Sequence, residues 1–251
     1  RPVGGVGGGG PPGGGVVARL GGGAGCWDVY VDDRALKLGM DGMHEPLGRF
    51  VLGARTGIGL RGGQAGLLPS RAWKRSARKA PWYPGETLIA GIGQGYNTAT
   101  PLQLAYATAL LASRGQTPTP RLVAPPLGLP PAAPGGPPQA SAEQWQIVAD
   151  AMQAVVSPGG TAYRALAGAP YSAAGKTGTA QVFKLSQRAD DRGRNAPRHL
   201  QDHALFIAFA PFEAPRIALS VIVEHGGSGS GTAAPVARQV LDAWLARPGG
   251  T

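Results

Sequence analysis

Three stretches in the C-terminal half of the chain decide its fold: AGKTGTAQVF at residues 174–183, HALFIAFA at 203–210 and RIALSVIVE at 216–224. Their apolar residues recur with a period close to two, which is typical of β-strands. A five-residue connector with proline at both ends separates the second stretch from the third, and so short a connector indicates a hairpin. The polar and charged loop over 184–202 is long enough to return the first stretch beside them. We therefore predict three adjacent antiparallel strands.

The clearest helix signal is a Thr-Pro-Leu-Gln sequence at residues 100–103. Thr100 can cap the helix, Pro101 suits its first position, and Gln103 completes a capping box. Gly115 ends the pattern. We expect this helix to be buried in the core. The residues predicted to share its apolar face are Leu104, Ala107, Thr108 and Leu111.

Three further helices are predicted from apolar residues at helical spacing. The first begins near Trp27, is interrupted at Gly39 and ends near Gly53. Ser141 and the glutamine three residues later repeat the capping box ahead of the second. Its predicted stripe is Trp145, Val148, Met152 and Val155. Thr232 is expected to cap the last helix. Its predicted face is Val236, Val240, Leu241, Trp244 and Leu245.

Composition divides the chain unevenly. Glycine supplies 42 and proline 24 of the 251 residues. Residues 1–25 hold 13 of those glycines and have too little apolar surface to offset the entropy of ordering. We predict a disordered segment over 1–25, a folded domain over 26–251 and a proline-rich spacer over 124–140. The net charge of +10 favours anionic partners without choosing among them. With no stretch of about 18 apolar residues, we expect neither a membrane span nor a signal peptide.

The sharpest chemical motif is Lys176-Thr177-Gly178-Thr179 on the first predicted strand. It places a cation, a hydroxyl and a position without a side chain at adjoining points of a strand edge. Such an edge suits holding a carboxylate while the next amide N–H faces an acyl oxyanion. Taken alone, the tetrapeptide favours a structural role, because Lys-Thr-Gly arises by chance on many strands. A Walker A phosphate loop is excluded because Pro170, which has no N–H, occupies its first glycine position.

No metal site or other cofactor is predicted. The histidines, none of which has metal-ligand spacing, are His44, His199, His203 and His225. Cys26 is the one cysteine, which excludes an intramolecular disulfide and a thiolate-rich metal site. The glycine-serine tract over 227–231 is interpreted as a flexible loop. Six basic residues without an acid between 61 and 79 are expected to form a solvated face, with a polyanion site as the alternative.

Five blocks of sequence together point to a family. In chain order they are Pro81-Trp82-Tyr83-Pro84-Gly85-Glu86-Thr87, Gly91-Ile92-Gly93-Gln94-Gly95-Tyr96, Thr100-Pro101-Leu102-Gln103-Leu104, Gly175-Lys176-Thr177-Gly178-Thr179-Ala180-Gln181-Val182 and Glu224-His225-Gly226-Gly227. From about Asp28 to Leu245, their order and spacing closely resemble the transpeptidase domain of the elongation-type class B penicillin-binding proteins.

This resemblance implies an α/β (α+β) fold of the β-lactamase/transpeptidase type, an antiparallel sheet flanked by helices, with the strand of Lys176 lining the active site. Such enzymes cross-link peptidoglycan: a serine takes the penultimate D-alanine of a stem peptide, releases the terminal D-alanine, and passes the acyl group to an amine on a neighbouring stem. By resemblance, Lys176 and Thr177 would bind the carboxylate of the stem peptide or of a β-lactam. Gly178 would permit close approach, and the Thr179 N–H would be one oxyanion donor.

Two family motifs are altered in this chain. The nucleophile motif Ser-x-x-Lys should precede the other blocks, and we expect the chain to hold no serine with a lysine three residues later. The second motif, Ser-x-Asn or Ser-x-Asp, falls on Cys26-Trp27-Asp28. It keeps the acid Asp28 as a catalytic candidate but replaces the serine with Cys26, which we expect to be an inert thiol. We attribute the missing N-terminal part of the fold to truncation or a shifted reading frame, and we expect this chain alone to be inactive.

The resemblance also implies partners and a location. The partners would be peptidoglycan stem peptides, β-lactams, a membrane glycan polymerase and proteins of the elongation machinery, and not nucleic acid. The domain would lie in the periplasm at the bacterial inner membrane, with no anchor in this chain. The alternative function is a non-catalytic module that binds peptidoglycan or a morphogenetic partner through the retained cleft. The two hypotheses differ in covalent chemistry.

Overall fold

The computed structural model describes residues 28–58, 62–117, 119–123, 138–181 and 201–247. Its α-helices, in chain order, are α1 (Asp28–Arg49), α2 (Arg71–Arg78), α3 (Pro84–Gly91), α4 (Pro101–Ala112), α5 (Ala142–Val156), α6 (Tyr163–Leu166) and α7 (Ala234–Leu245). Its strands are β1 (Ala174–Ala180), β2 (His203–Ala210) and β3 (Ile217–Val223). A π-helical turn over Gly229–Ala233 leads into α7. The segment 1–25, Cys26, most of the proline-rich spacer and most of the charged loop lie outside the described residues.

The three strands form one antiparallel sheet in the order β1-β2-β3, as predicted. Lys176 lies opposite Ile207 in the register of β1 and β2. The hairpin between β2 and β3 closes with the Arg216 N–H donating to the Ala210 carbonyl at 2.9 Å. β1 ends at Ala180, short of the predicted end at residue 183, and the last two predicted positions lie outside the described residues. Within the described sheet β1 is an edge strand, so the Lys-Thr-Gly motif has one open side.

Helices cover both faces of the sheet because the central strand is apolar on both. On one face Phe206 of β2 is buried in a cluster with Leu241 of α7. On the other face Phe209 of β2 packs with Met152 of α5. Since successive side chains of a strand point to opposite faces, a strand buried on both sides reads as a continuous apolar run. The predicted arrangement, an antiparallel sheet flanked by helices, is confirmed.

Helix α4 is buried as predicted, but on two sides. Its predicted capping box is present, with the Gln103 N–H donating to the Thr100 hydroxyl at 3.1 Å. Leu111, on the predicted face, packs against the cluster on the sheet. Tyr106 and Leu110 are buried on the other side, against the turn that follows α1. A helix that is apolar almost all round is packed from more than one direction, so one stripe described only part of its contacts.

Helix α5 follows its prediction more closely. The capping box forms between Ser141 and Gln144, and the helix ends before Ser157. Three of the four residues in its predicted stripe are buried, whereas Val148 is exposed. In α1 the predicted interruption is present, because Gly39 has non-helical backbone angles. Local sequence signals therefore located both helices correctly.

The last helix faces the core only partly as predicted: Leu241 is buried and Leu245 packs against the cluster that holds Phe206, but the rest of the predicted face does not. Its buried residues are Ala234, Ala237 and Leu241. Three residues of the predicted face, exposed to 40–44%, are Val236, Val240 and Trp244. Alanines face the sheet because small side chains let the helix axis approach closely, which the predicted pattern of large residues ignored. Thr232 is not the cap, since its hydroxyl donates to the Gly226 carbonyl at 2.8 Å.

One member of the basic run over 61–79 is buried, contrary to the expectation of a solvated face. Lys74 is 4% exposed, and its Nζ lies 2.5 and 2.6 Å from the two carboxylate oxygens of Glu86. The Tyr83 and Trp82 rings lie 4.6 and 5.9 Å from this ammonium group, within cation–π range. Burial raises the pKa of Glu86, but the hydrogen bonds from Lys74 and the Tyr83 N–H outweigh it and hold that pKa below its ordinary value. A paired, hydrogen-bonded charge therefore joins α2 to α3.

We expect Lys74→Met to lower the free energy of unfolding by about 3 kcal/mol, because it leaves the Glu86 carboxylate partly buried without its partner. Lys37→Met is the matched control. Lys37 pairs with Asp33 on the surface of α1, and such exposed pairs contribute roughly 1 kcal/mol or less. Urea unfolding measures both variants. Equal losses of unfolding free energy would contradict the interpretation that the Lys74–Glu86 pair stabilises the fold more than an exposed pair does.

The same ion pair predicts a dependence of stability on pH. The pKa of Glu86 is lower in the folded state than its ordinary value of 4.5. Its contribution to stability is therefore complete above pH 4.5 and is lost as the pH falls through the lower, folded value. The difference in unfolding free energy between the parental chain and Glu86→Gln should shrink on acidification in that range. A difference that stays constant would show that the carboxylate charge does not stabilise the fold.

Candidate active site

The Lys-Thr-Gly motif occupies the middle of edge strand β1. Lys176, Thr177 and Gly178 are half-buried, and Thr179 is exposed. The Lys176 Nζ donates to the Thr177 carbonyl at 3.1 Å, so the ammonium group stays beside the motif. A Cβ on Gly178 would lie 3.3 Å from the Cβ of Leu205 on the neighbouring strand, tighter than ordinary packing. The motif thus combines a cation, a hydroxyl and a position with no side chain on one accessible strand.

The Thr179 carbonyl is held from outside the sheet. The Gln94 Nε2 donates to it at 2.9 Å. A strand residue directs its N–H and its C=O to the same side, and this carbonyl points away from β2. The Thr179 N–H therefore also points to the open side of β1. An amide with this orientation can donate to a ligand that binds along the strand edge.

Gln94 lies on a glycine turn that follows α3. Gly93 and Gly95 have φ angles of 77° and 74°, a left-handed conformation that glycine adopts without steric cost. The Gln94 N–H donates to the Ile89 carbonyl at 3.0 Å, and the Asn97 side chain donates to the Gln94 carbonyl at 2.9 Å. The turn is thus tied to the end of α3 and carries Gln94 to the motif. The resemblance included this segment among the matching blocks but assigned it no role.

The tract over 227–231 is not the loop predicted from its glycines. It enters a π-helical turn that starts at Gly229. A Cβ on Gly229 would lie 2.5 Å from the Leu205 carbonyl oxygen and 2.6 Å from that of Gly178. Glycine is required here because the turn backbone lies directly against the two strands. The turn therefore supports the motif strand.

The described histidines lie on a strand, in the turn after the last strand and on a helix. His203 and His225 have ring centroids 4.7 Å apart, and the His225 backbone N–H donates to the His203 Nδ1 at 2.9 Å. The His44 Nδ1 lies 2.9 Å from the Pro69 carbonyl oxygen, and His199 lies outside the described residues. In the part of the chain that the structure describes, no three His, Cys, Asp or Glu side chains are grouped to hold a metal ion.

The two residues carried over from the second motif are placed only in part. Asp28 is the first residue of α1, and its side chain is not described. Cys26 lies outside the described residues. The roles assigned to them by resemblance stay predictions.

Sequence reasoning missed one Ser-x-x-Lys spacing. Ser76 is followed three residues later by Lys79, so the expectation that no such pair occurs is wrong. Lys79 lies beyond the end of α2 in the left-handed conformation, with φ of 53°, and the alignment of positions i and i+3 on a continuous helix is lost there. The Ser76 hydroxyl donates to the Trp73 carbonyl at 3.0 Å. This geometry does not prepare Ser76 as a nucleophile.

Among the described residues, no helix is both long enough and apolar enough to cross a membrane.

Comparison with known proteins places the chain in a family. Residues 27–242 match the family model described as the penicillin binding protein transpeptidase domain. Peptidoglycan D,D-transpeptidase MrdA of Salmonella typhimurium (strain SL1344) is 39% identical over 223 residues, a match that covers 86% of this chain and 36% of the relative. The chain thus spans about a third of that curated relative's length.

The solved structures that are similar to it include two penicillin-binding proteins. Pseudomonas aeruginosa PBP2 in complex with WCK 5153 is 46% identical, with a TM-score of 0.75, covering 89% of this chain and 48% of that one. PBP2 from Helicobacter pylori, in complex with MreC, is 31% identical, with a TM-score of 0.77, covering 90% of this chain and 39% of that one. With the family match spanning nearly all of the described residues, the chain belongs to the penicillin-binding protein transpeptidase domain family.

Proposed function

We propose that this domain serves peptidoglycan D,D-transpeptidation, the reaction for which the MrdA relative is named. The observation that carries the proposal is the position of the Lys-Thr-Gly-Thr sequence on an edge strand whose Thr179 peptide groups face the open side. A cation and an outward N–H on one strand suit a substrate that carries both a carboxylate and a reactive carbonyl. The C-terminal D-alanyl-D-alanine of a stem peptide, with its carboxylate on the last residue and its reactive carbonyl on the one before, and the bicyclic core of a penicillin both have these groups.

The roles proposed for the motif follow its chemistry. Lys176 and Thr177 bind the carboxylate through a charge-assisted hydrogen bond and a hydroxyl. Gly178 lets the substrate lie close to the strand, and the Thr179 N–H donates to the developing oxyanion. Asp28 is proposed as the retained acid of the second motif, with Cys26 in place of its serine.

The proposed partners are those of the family. Stem peptides and β-lactams would bind at the motif, and the proteins of the elongation machinery would include one like MreC, with which the H. pylori PBP2 was solved. A membrane glycan polymerase is a further proposed partner. The proposed location is the periplasmic side of the inner membrane.

The nucleophile is the part of the reaction that this chain does not supply. No serine precedes Cys26, where the family motif belongs, and Ser76 lacks the helical alignment with Lys79. The same observation favours the second candidate function, a non-catalytic module that binds peptidoglycan or a partner at the motif strand without acyl transfer. Covalent labelling separates the two.

We expect the 251-residue chain to form no stable adduct with labelled penicillin, because it lacks a serine activated by lysine. A full-length protein that carries a Ser-x-x-Lys motif ahead of this domain should form a stoichiometric adduct. Intact-protein mass spectrometry measures both. An adduct on the 251-residue chain that maps to Ser76 or to Cys26 would overturn the assignment of the nucleophile. No adduct on the full-length protein would favour the non-catalytic module.

A further inference from the structure

We propose that Gln94 is a positioning residue that holds Thr179 in the orientation an oxyanion donor needs, an inference that rests on the proposed function. The two residues are 85 positions apart in the sequence, yet the Gln94 Nε2 lies 2.9 Å from the Thr179 carbonyl oxygen. The bond crosses from the glycine turn after α3 to the open side of β1. It thus joins the helical layer to the strand that carries the motif.

The bond controls the direction of the Thr179 N–H. In antiparallel sheets a residue either exchanges both its N–H and C=O bonds with its opposite partner or directs both away. Thr179 lies opposite Ala204, and its carbonyl accepts from Gln94, so both of its groups face away from β2. Edge strands lack a second neighbour that would hold such groups in place. Gln94 supplies that missing constraint from a side chain.

The turn that presents Gln94 is well constrained. The Gln94 backbone N–H donates to the Ile89 carbonyl, and the Gln94 carbonyl accepts from the Asn97 side chain. Asn97 also donates to the Ala90 carbonyl at 3.3 Å, which ties both ends of the turn to α3. A side chain on so constrained a turn loses less entropy when it forms a hydrogen bond.

A second layer of contacts supports the turn. The ring of Tyr96, two residues beyond Gln94, lies 5.1 Å from that of Trp73 and 6.4 Å from that of Trp82. These tryptophans lie on α2 and just before α3, and the ion pair between buried Lys74 and partly buried Glu86 joins those two helices. Opposite, Gly229 packs on the backbone of Gly178. The motif strand is therefore held on both sides, and Gln94 is the contact on the ligand side.

The test compares two replacements of Gln94 in the full-length protein. Gln94→Met keeps the approximate shape but removes the donor, and Gln94→Lys restores a donor of similar reach. Because a directly contacting oxyanion donor contributes roughly 100- to 1000-fold, we expect the positioning residue to contribute less. Gln94→Met should lower the acylation rate constant for penicillin roughly 10- to 100-fold, with little change in the dissociation constant of the noncovalent complex. Gln94→Lys should recover most of the rate.

Gln146→Met is the control. Gln146 bonds to Arg114 and Asp150 on the helical surface, so this variant protein should be acylated at the parental rate. Unchanged acylation in Gln94→Met, or an equal loss in Gln94→Lys, would overturn the positioning role. Absence of acylation in the parental protein would refute the proposed function instead. In that case, hydrogen exchange on the 251-residue chain still tests the positioning role of Gln94, because it does not depend on acylation. Gln94→Met should speed exchange of the amides over 177–181, and unchanged exchange would overturn the inference.

Discussion

Lys176→Ala in the full-length protein is expected to slow acylation by penicillin roughly 30- to 1000-fold. The lysine is half-buried on an edge strand, and its Nζ reaches over the motif to the Thr177 carbonyl. Removing the charge would take away the proposed charge-assisted hydrogen bond to the ligand carboxylate, a loss of about 2 to 4 kcal/mol in transition-state binding. Stopped-flow labelling with a fluorescent penicillin measures the rate.

The stability of the same variant separates a binding role from a structural one. Because Lys176 is not a core residue, the thermal unfolding midpoint of Lys176→Ala should stay close to that of the parental protein. Lys79→Ala, which removes an exposed lysine at the end of α2, controls for a general effect of net charge. If Lys176→Ala acylates at the parental rate, or if its main effect is unfolding, the carboxylate-binding role is wrong.

Gln103→Glu is expected to lower the free energy of unfolding by about 4 kcal/mol or more, a large part of the stability of a domain this size. Gln103 is fully buried, and its Nε2 lies 2.9, 2.8 and 2.8 Å from the carbonyl oxygens of Val51, Ala54 and Ala65. Its Oε1 accepts from the Thr100 N–H at 2.8 Å. A glutamate would place a carboxylate oxygen against three carbonyls and leave all three without their donor.

The chain offers a matched control for this substitution. Gln144 completes the same capping box with Ser141 at the start of α5, but it is exposed. Gln144→Glu should be neutral or slightly stabilising, because glutamate suits this position and the positive end of the helix dipole. Urea unfolding of the two variants compares one chemical change in two surroundings. Similar effects would mean that the buried carbonyl contacts of Gln103 do not contribute.

Much of the fold could be predicted from the sequence because its signals are local. Strand periodicity and a short connector identified the sheet and its antiparallel order. Two capping boxes located the starts of α4 and α5. Each of these rules depends on residues within a few positions of one another, so no knowledge of distant contacts is needed.

Only the part of the candidate site that lies in one short stretch of sequence was predicted. The sequence identified the motif over 176–179, and the resemblance assigned its residues roles that stay predictions. It did not single out Gln94, because no local rule connects a glycine turn to a carbonyl 85 positions away. Nor did it distinguish Ser76, where the spacing of a motif occurs without its helical alignment.

The sequence by itself determined where the strands and most helices lie, which motif the first strand carries, and which family the chain resembles. Only the tertiary structure decided which faces are buried. The alanines of α7 face the sheet while Trp244 is exposed, and Lys74 is buried because Glu86 and two aromatic rings surround it. The physical reason is that burial depends on which elements meet in space, since a small residue or a paired charge is stable inside only where a complementary surface lies opposite.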